Sequence, residues 1–206
     1  LLLRGLMHSM GATDIVTQSS AEKAISICRK QKFDVVVSDL HLGSDRKNGF
    51  EFVEELRVRR LIKPTTVFIL ISADSARPVV LGSIERRPDD YLIKPFSQVQ
   101  LKSRISRAWS KRQYLGDVYR EIANDNLNTA VDICKDLLAS PSPYRGSCEQ
   151  LLVELYWQLE QPDKALDVLT PYLDGKPIMW AQVALGKTYV HLQQYDKAMD
   201  MAEQVL

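Results

Sequence analysis

Phe33-Asp34-Val35-Val36-Val37-Ser38-Asp39-Leu40-His41-Leu42 reads as a short buried strand ending in a carboxylate. Val35, Val36 and Val37 form a continuous β-branched run, the pattern of a strand covered on both faces. Asp39 follows where the strand runs out, so it falls at the strand's C-terminal edge. Ligands and chemistry gather at that edge in open parallel α/β sheets. Two further runs end the same way. Val67-Phe68-Ile69-Leu70-Ile71 gives way to Ser72-Ala73, and Tyr91-Leu92-Ile93 gives way to Lys94-Pro95-Phe96. An acid, a hydroxyl and an ammonium therefore stand at three consecutive strand ends.

The flanking segments read as alternating helices and strands. Leu2, Leu3, Leu6, Met7 and Met10 share one side of an opening helix that Gly11 stops. Asp14-Ile15-Val16-Thr17 reads as a short strand. Ser19-Ser20-Ala21-Glu22 reads as a capping box with Ser19 as N-cap, opening a helix whose apolar face is Ala21, Ala24, Ile25 and Cys28. After Asp39 a polar loop leads to Gly49 and a helix bearing Phe50, Val53, Leu56 and Arg57. Pro64 ends that region. A weak helix is expected around Val79 to Arg87, broken by Pro88-Asp89-Asp90. Ser97-Gln98-Val99-Gln100 is a second capping box, and its helix carries Leu101, Ile105, Ala108 and Trp109 on one stripe. This half is predicted to be an α/β doubly wound parallel sheet: a helix, then four strand–helix pairs.

Asp39 alone would read as a turn or cap residue. The ordered set Asp39, Ser72-Ala73 and Asp90-Tyr91-Leu92-Ile93-Lys94-Pro95-Phe96 resembles the receiver domain of bacterial response regulators, with its flavodoxin-like fold, over residues 1–110. The resemblance implies that Asp39 accepts a phosphoryl group from a histidine kinase or phosphotransfer protein. It implies that Ser72 contacts that group, that Lys94 pairs with it, and that Lys94-Pro95 is a cis peptide. Mg²⁺ is the implied cofactor, held by Asp39 and the backbone carbonyl of His41. Tyr91 matches the family's switch aromatic, which rotates as Ser72 moves inward; its alternative role is plain core. Two departures stand out. The family's proline four residues after the acid is Gly43 here, and its glycine is Gly49, ten residues on, so the loop is two residues longer. The family's first strand, with the acidic pair that completes the Mg²⁺ site, is absent. The chain is therefore expected to be a fragment, the alternative being a natural four-stranded degenerate receiver. Such a fragment would bind Mg²⁺ weakly through one carboxylate and would lean on strand swapping or dimer contacts.

From residue 111 onward strand-like runs vanish. Leu115-Gly116-Asp117-Val118-Tyr119 returns as Leu152-Val153-Glu154-Leu155-Tyr156 and as Leu185-Gly186-Lys187-Thr188-Tyr189, at offsets of 37 and 33 residues. Ala130, Ala165 and Ala198 recur in step. With Tyr195 and Pro177 this pattern resembles the tetratricopeptide repeat. The resemblance implies an all-α solenoid over 111–206, with repeats at 112–145, 146–178 and 179–206, the last incomplete. Each helix pair would bury its second face by stacking on the next. Trp157 and Trp180 read as core residues of that array.

Composition bounds the remaining options. The 206 residues suit one or two domains, with 45% hydrophobic and 26% charged residues. A net charge of +1 gives no electrostatic case for nucleic acid or an anionic membrane. The longest apolar run, Val67 to Ile71, is far too short to span a bilayer. Cys28, Cys134 and Cys148 lack metal-ligand spacing and read as buried thiols of a reducing, cytoplasmic compartment; His8, His41 and His191 are scattered. The reading is a bacterial two-component response regulator, not an enzyme, whose receiver controls a repeat domain that binds an unidentified protein. The rival is a constitutive scaffold with a vestigial receiver.

Overall fold

The computed structural model of the chain describes residues 2–42, 48–73, 87–173 and 177–203. Two compact units emerge, Leu1–Gly116 and Asp117–Leu206.

The first unit is built on a parallel three-stranded sheet of β1 (Val35–Asp39), β2 (Val67–Ser72) and β3 (Asp90–Ile93), in the order β1-β2-β3. Asp39 lies opposite Ile71, and Ser72 opposite Ile93, so all three strands end on one edge. β2 is buried throughout, and its period-2 alternation feeds two cores. Phe68 and Leu70 face α2 (Ala21–Cys28) and α3 (Gly49–Val58), meeting Ile25, Phe52, Val53 and Leu56. Val67, Ile69 and Ile71 face α1 (Leu2–Ser9) and α4 (Gln98–Tyr114), meeting Leu6, Leu92, Leu101 and Ala108. Helices thus cover both faces, as the doubly wound reading requires.

A buried node holds the opposite edge. The Asp89 carboxylate accepts from Arg57 (3.1 Å) at the end of α3, from Arg112 (3.1 Å) at the end of α4, and from the Phe68 amide (2.8 Å) of β2. Lys111 donates to the Asp89 carbonyl at 3.0 Å, and Arg112 reaches the Pro64 carbonyl at 2.9 Å. Burial pushes the Lys111 ammonium down, against the pull of Asp89 and Asp90.

Several expectations are corrected. Residues 12–18 form no strand. A strand exists only through its ladder, and among the described residues none is offered to them. For the same reason Val35, Val36 and Val37 are half-buried: among the described residues β1 is an edge strand whose only neighbour is β2. The N-cap of α2 is Ser20, accepting from the Lys23 amide at 3.3 Å, one residue beyond Ser19. Trp109 is 38% exposed on α4, whereas Leu101 and Ala108 of the same stripe are buried. The capping box at Ser97 and Gln100 forms as read. Gly11, at φ 94°, follows α1 in the left-handed region that favours glycine. Gly43 and the helix expected from Val79 fall outside the described residues.

Beyond α4 the described residues are helical: α5 (Gly116–Ala123), α6 (Leu127–Leu138), α7 (Arg145–Gln158), α8 (Pro162–Leu169), a 3-10 turn (Thr170–Tyr172), α9 (Met179–His191) and α10 (Tyr195–Glu203). They form three hairpins with one turn geometry. Asp125, Glu160 and Gln193 each take a positive φ, between 55° and 61°, five residues before Ala130, Ala165 and Ala198. The next amide closes each turn on the same carbonyl: Asn126 on Glu121, Gln161 on Tyr156 and Gln194 on Tyr189, at 2.8–2.9 Å. Leu115, Leu152 and Leu185 are buried, as are Ala130 and Ala165. Where Gly186 stands, an added Cβ would lie 3.5 Å from the Met201 Cβ, so α9 and α10 approach closely there. α7 buries nearly its whole circumference. Tyr195, by contrast, is 60% exposed. Trp157 is half-buried against α9: its indole donates to Thr188 at 3.0 Å and its ring lies beside Lys187 and His191. Trp180 packs edge-on to Tyr172.

Candidate functional site

Asp39 is the last residue of β1, and its side chain is 40% exposed at the strand ends. The Lys94 ammonium, just past β3, pairs with Asp39 Oδ2. Since β2 lies between these strands, Lys94 reaches Asp39 across the end of β2. Ser72 is the final residue of β2 and is buried there. The ladder continues past the strands: the Leu40 amide donates to Ile71 at 2.7 Å and the Lys94 amide to Ser72 at 2.8 Å. Asp39, Ser72 and Lys94 therefore occupy one edge on a common hydrogen-bonded frame, as the sequence predicts. The Lys94-Pro95 peptide is cis.

The loop after Asp39 is fixed at its base. His41 bridges Asn48, and the Gly49 amide donates to the Leu40 carbonyl at 2.8 Å. Asn48 caps α3, accepting from Phe50 (2.9 Å) and Glu51 (3.0 Å) while Glu51 returns to the Asn48 amide. Asn-x-x-Glu is the signal of this capping box in the sequence. Gly49 carries a steric requirement that spacing alone does not reveal. A Cβ there would run into Leu70 and come within 2.9 Å of the Asp39 carbonyl oxygen. The His41 side chain is exposed at this base.

Tyr91, opposite Leu70, turns towards the α2/α3 core and meets Phe50 at a ring-centroid distance of 5.8 Å. Among the described residues its buried hydroxyl has no hydrogen-bond partner, and burial pushes the phenol well up. It is packed in core.

A cleft of about 550 Å³ runs along β1, lined by Leu6, Val16, Ala24 and Val36 and reaching Asp39 and Lys94. Among the described residues no cluster of three or more His, Cys, Asp or Glu side chains is placed to hold a metal ion. Mg²⁺ prefers six oxygens in near-octahedral array. The described residues offer the Asp39 carboxylate and neighbouring backbone carbonyls such as that of His41, which is part of such a shell and does not complete it.

An open parallel sheet, wrapped by helices and carrying an acid–ammonium pair across its C-terminal edge, defines a flavodoxin-like α/β domain with a polar strand-end site. A family model for the response regulator receiver domain matches residues 1–106, and the chain belongs to that family. Similar curated proteins are regulators. The alkaline phosphatase synthesis transcriptional regulatory protein PhoP of Bacillus subtilis is 29% identical over 142 residues, 69% of this chain and 56% of that protein. The two-component response regulator ARR2 of Arabidopsis thaliana is 36% identical over 85 residues, 40% of this chain and 12% of that protein. The receiver domain of NtrX from Brucella abortus superposes with a TM-score of 0.46 at 22% identity, covering 53% of this chain and 88% of that one. The matched region spans about half of PhoP and about one fifth of the alginate biosynthesis regulator AlgB from Pseudomonas aeruginosa. The first unit is thus a receiver domain of the two-component type. Among the described residues no helix is long and apolar enough to cross a membrane.

Proposed function

We propose that the protein is a phosphorylation-controlled response regulator in which Asp39 takes a phosphoryl group from a histidine kinase or phosphotransfer protein. The carrying observation is the Lys94–Asp39 pair spanning the end of β2 beside Ser72. A carboxylate is a weak nucleophile, so transfer relies on positioning and charge neutralisation. Asp39 attacks phosphorus, an aspartyl phosphate bond forms, and the phosphorus–nitrogen bond to the donor histidine breaks. Lys94, a compact cation already beside the carboxylate, meets the added negative charge. The Ser72 hydroxyl donates to a phosphoryl oxygen. Tyr91 follows as the switch aromatic, its buried hydroxyl, without a hydrogen-bond partner among the described residues, favouring a move from core towards solvent. Mg²⁺ is the proposed co-ligand by family membership, with Asp39 and the His41 carbonyl as this chain's contribution; it would neutralise phosphoryl charge.

The helical hairpins, residues 111–206, are proposed to be tetratricopeptide repeats that bind a protein segment, giving the receiver a binding output rather than catalysis. The repeated turns at Asp125, Glu160 and Gln193 support this. A cytoplasmic setting goes with that reading.

A second reading, a constitutive scaffold with a silent receiver, is favoured by the observation that among the described residues no three His, Cys, Asp or Glu side chains cluster to hold a metal ion. Intact mass after incubation with acetyl phosphate, with and without Mg²⁺, separates the two. The regulator gains one phosphoryl group only with Mg²⁺, and Asp39→Asn gains none. Labelling of Asp39→Asn at the wild-type rate would reject Asp39, and an inert wild-type protein would favour the scaffold.

A further inference from the structure

Two cysteines that the receiver chemistry does not use meet inside the second unit. Cys134 lies on α6 and Cys148 in the first turns of α7, and both are buried to within 1%. The Cys148 thiol donates to the carbonyl of Cys134 itself at 3.5 Å, so one sulfur sits beside the other residue's backbone. The helices carrying them pack directly on each other. The contact joins residues 14 apart in sequence. Cys28, the third cysteine, lies in the first unit and is also buried.

From this geometry we infer that Cys134 and Cys148 are a redox-active dithiol that closes to an intramolecular disulfide under peroxide and staples α6 to α7. The two thiols are unequal. A hydrogen bond from Cys134 lowers Cys148, opposed by burial and Glu149 and helped by Arg145. The same hydrogen bond, with burial, raises Cys134. Position early in α7 adds the positive end of the helix dipole. The place of Cys148 in the first turn of α7, where the helix dipole favours a thiolate, assigns it as the attacking sulfur once its hydrogen bond to the Cys134 carbonyl opens.

The chemistry closes with hydrogen peroxide as oxidant. The Cys148 thiolate attacks one peroxide oxygen; the oxygen–oxygen bond breaks, and hydroxide leaves and takes up the thiol's proton as water. Cys148 is then a sulfenic acid. The Cys134 sulfur attacks the Cys148 sulfur, the sulfur–sulfur bond forms, the sulfur–oxygen bond breaks, and the second water leaves. Each thiol gives up one electron and the peroxide accepts two. Burial keeps bulky reagents out while a small oxidant enters through local opening between α6 and α7. The bridge would lock α6 of one hairpin to α7 of the next in the unit proposed to bind protein, so oxidation would alter that unit without touching Asp39.

The test uses the full chain and graded hydrogen peroxide. The expected product is a monomer lighter by about 2 Da, two hydrogens. Peptide mapping should join Cys134 to Cys148 and leave Cys28 alkylatable after denaturation. Reduction by dithiothreitol should restore the mass. The thermal midpoint of the oxidised second unit should rise by roughly 10–20 °C, the upper range for closing a loop of about 15 residues in a unit of this size. Cys134→Ser should halt at a Cys148 sulfenic acid, read as a gain of about 16 Da on intact mass and trapped by dimedone once the protein is unfolded. If that variant fails to fold, the wild-type map decides alone. Three free thiols at peroxide levels that already oxidise methionine would overturn the inference, as would a bridge that includes Cys28 or joins two chains.

Discussion

Gly49 shows how one missing methyl fixes the candidate site. It sits at the start of α3 with the Asp39 carbonyl and Leu40 backbone against it. Alanine would gain up to about 1 kcal/mol of helix propensity over glycine. It would also drive a Cβ into Leu70 and to 2.9 Å from the Asp39 carbonyl oxygen. Leu70 is fully buried and the oxygen belongs to backbone, so neither neighbour gives way cheaply. Overpacking of this kind costs about 1–3 kcal/mol, and the larger end applies because two elements must shift. Gly49→Ala should therefore lose about 2 kcal/mol in denaturant unfolding and slow Asp39 phosphorylation, since the strand end itself is displaced. Unchanged stability would mean that α3 slides without disturbing β1.

At the scale of elements, the division between what was legible and what was not follows sequence range. Asp39, Ser72 and Lys94 were legible because each closes a local apolar run whose length already says strand. The hairpins of the second unit were legible because Leu-x-x-x-Tyr and its following alanine recur. Asp14–Thr17 misled because a strand needs a partner that no local pattern supplies. The Asp89 node was invisible for the same reason: Arg57, Arg112 and Phe68 lie 32, 23 and 21 residues away. That node binds the far ends of α3, α4 and β2, whose other ends frame the site. Truncating one partner of a buried ion network leaves uncompensated charge and costs about 3–5 kcal/mol. Asp89→Ala should show that loss in the first unit, with faster amide exchange over the last turns of α4. Asp89→Asn, which retains an acceptor, should lose less. A loss below about 1 kcal/mol for alanine would mean water replaces the carboxylate without cost.

Across the whole molecule, the question is whether a charge added at Asp39 is felt in the helical hairpins. The connection is short. α4 ends at Tyr114, α5 begins at Gly116, and only Leu115 stands between them. Arg112 and Lys111, in the last turn of α4, are tied to Asp89, one residue before β3, whose other end carries Lys94 into the site. A shift of Lys94 on phosphorylation would thus bear on a strand anchored at the same node as α4. Coupling of about 1–3 kcal/mol is typical of such systems and would change local exchange rates about 5- to 150-fold. Inserting about six Gly/Ser residues between Leu115 and Gly116 should break the path, because such a linker behaves as flexible coil. The expected outcome is full acetyl phosphate labelling of Asp39 with no phosphorylation-dependent change in amide exchange in α6 and α7. The parent chain should show that change. If the inserted chain responds as the parent does, coupling does not run through α4. If the parent shows no change, phosphorylation of Asp39 leaves the hairpins untouched and the coupling idea fails.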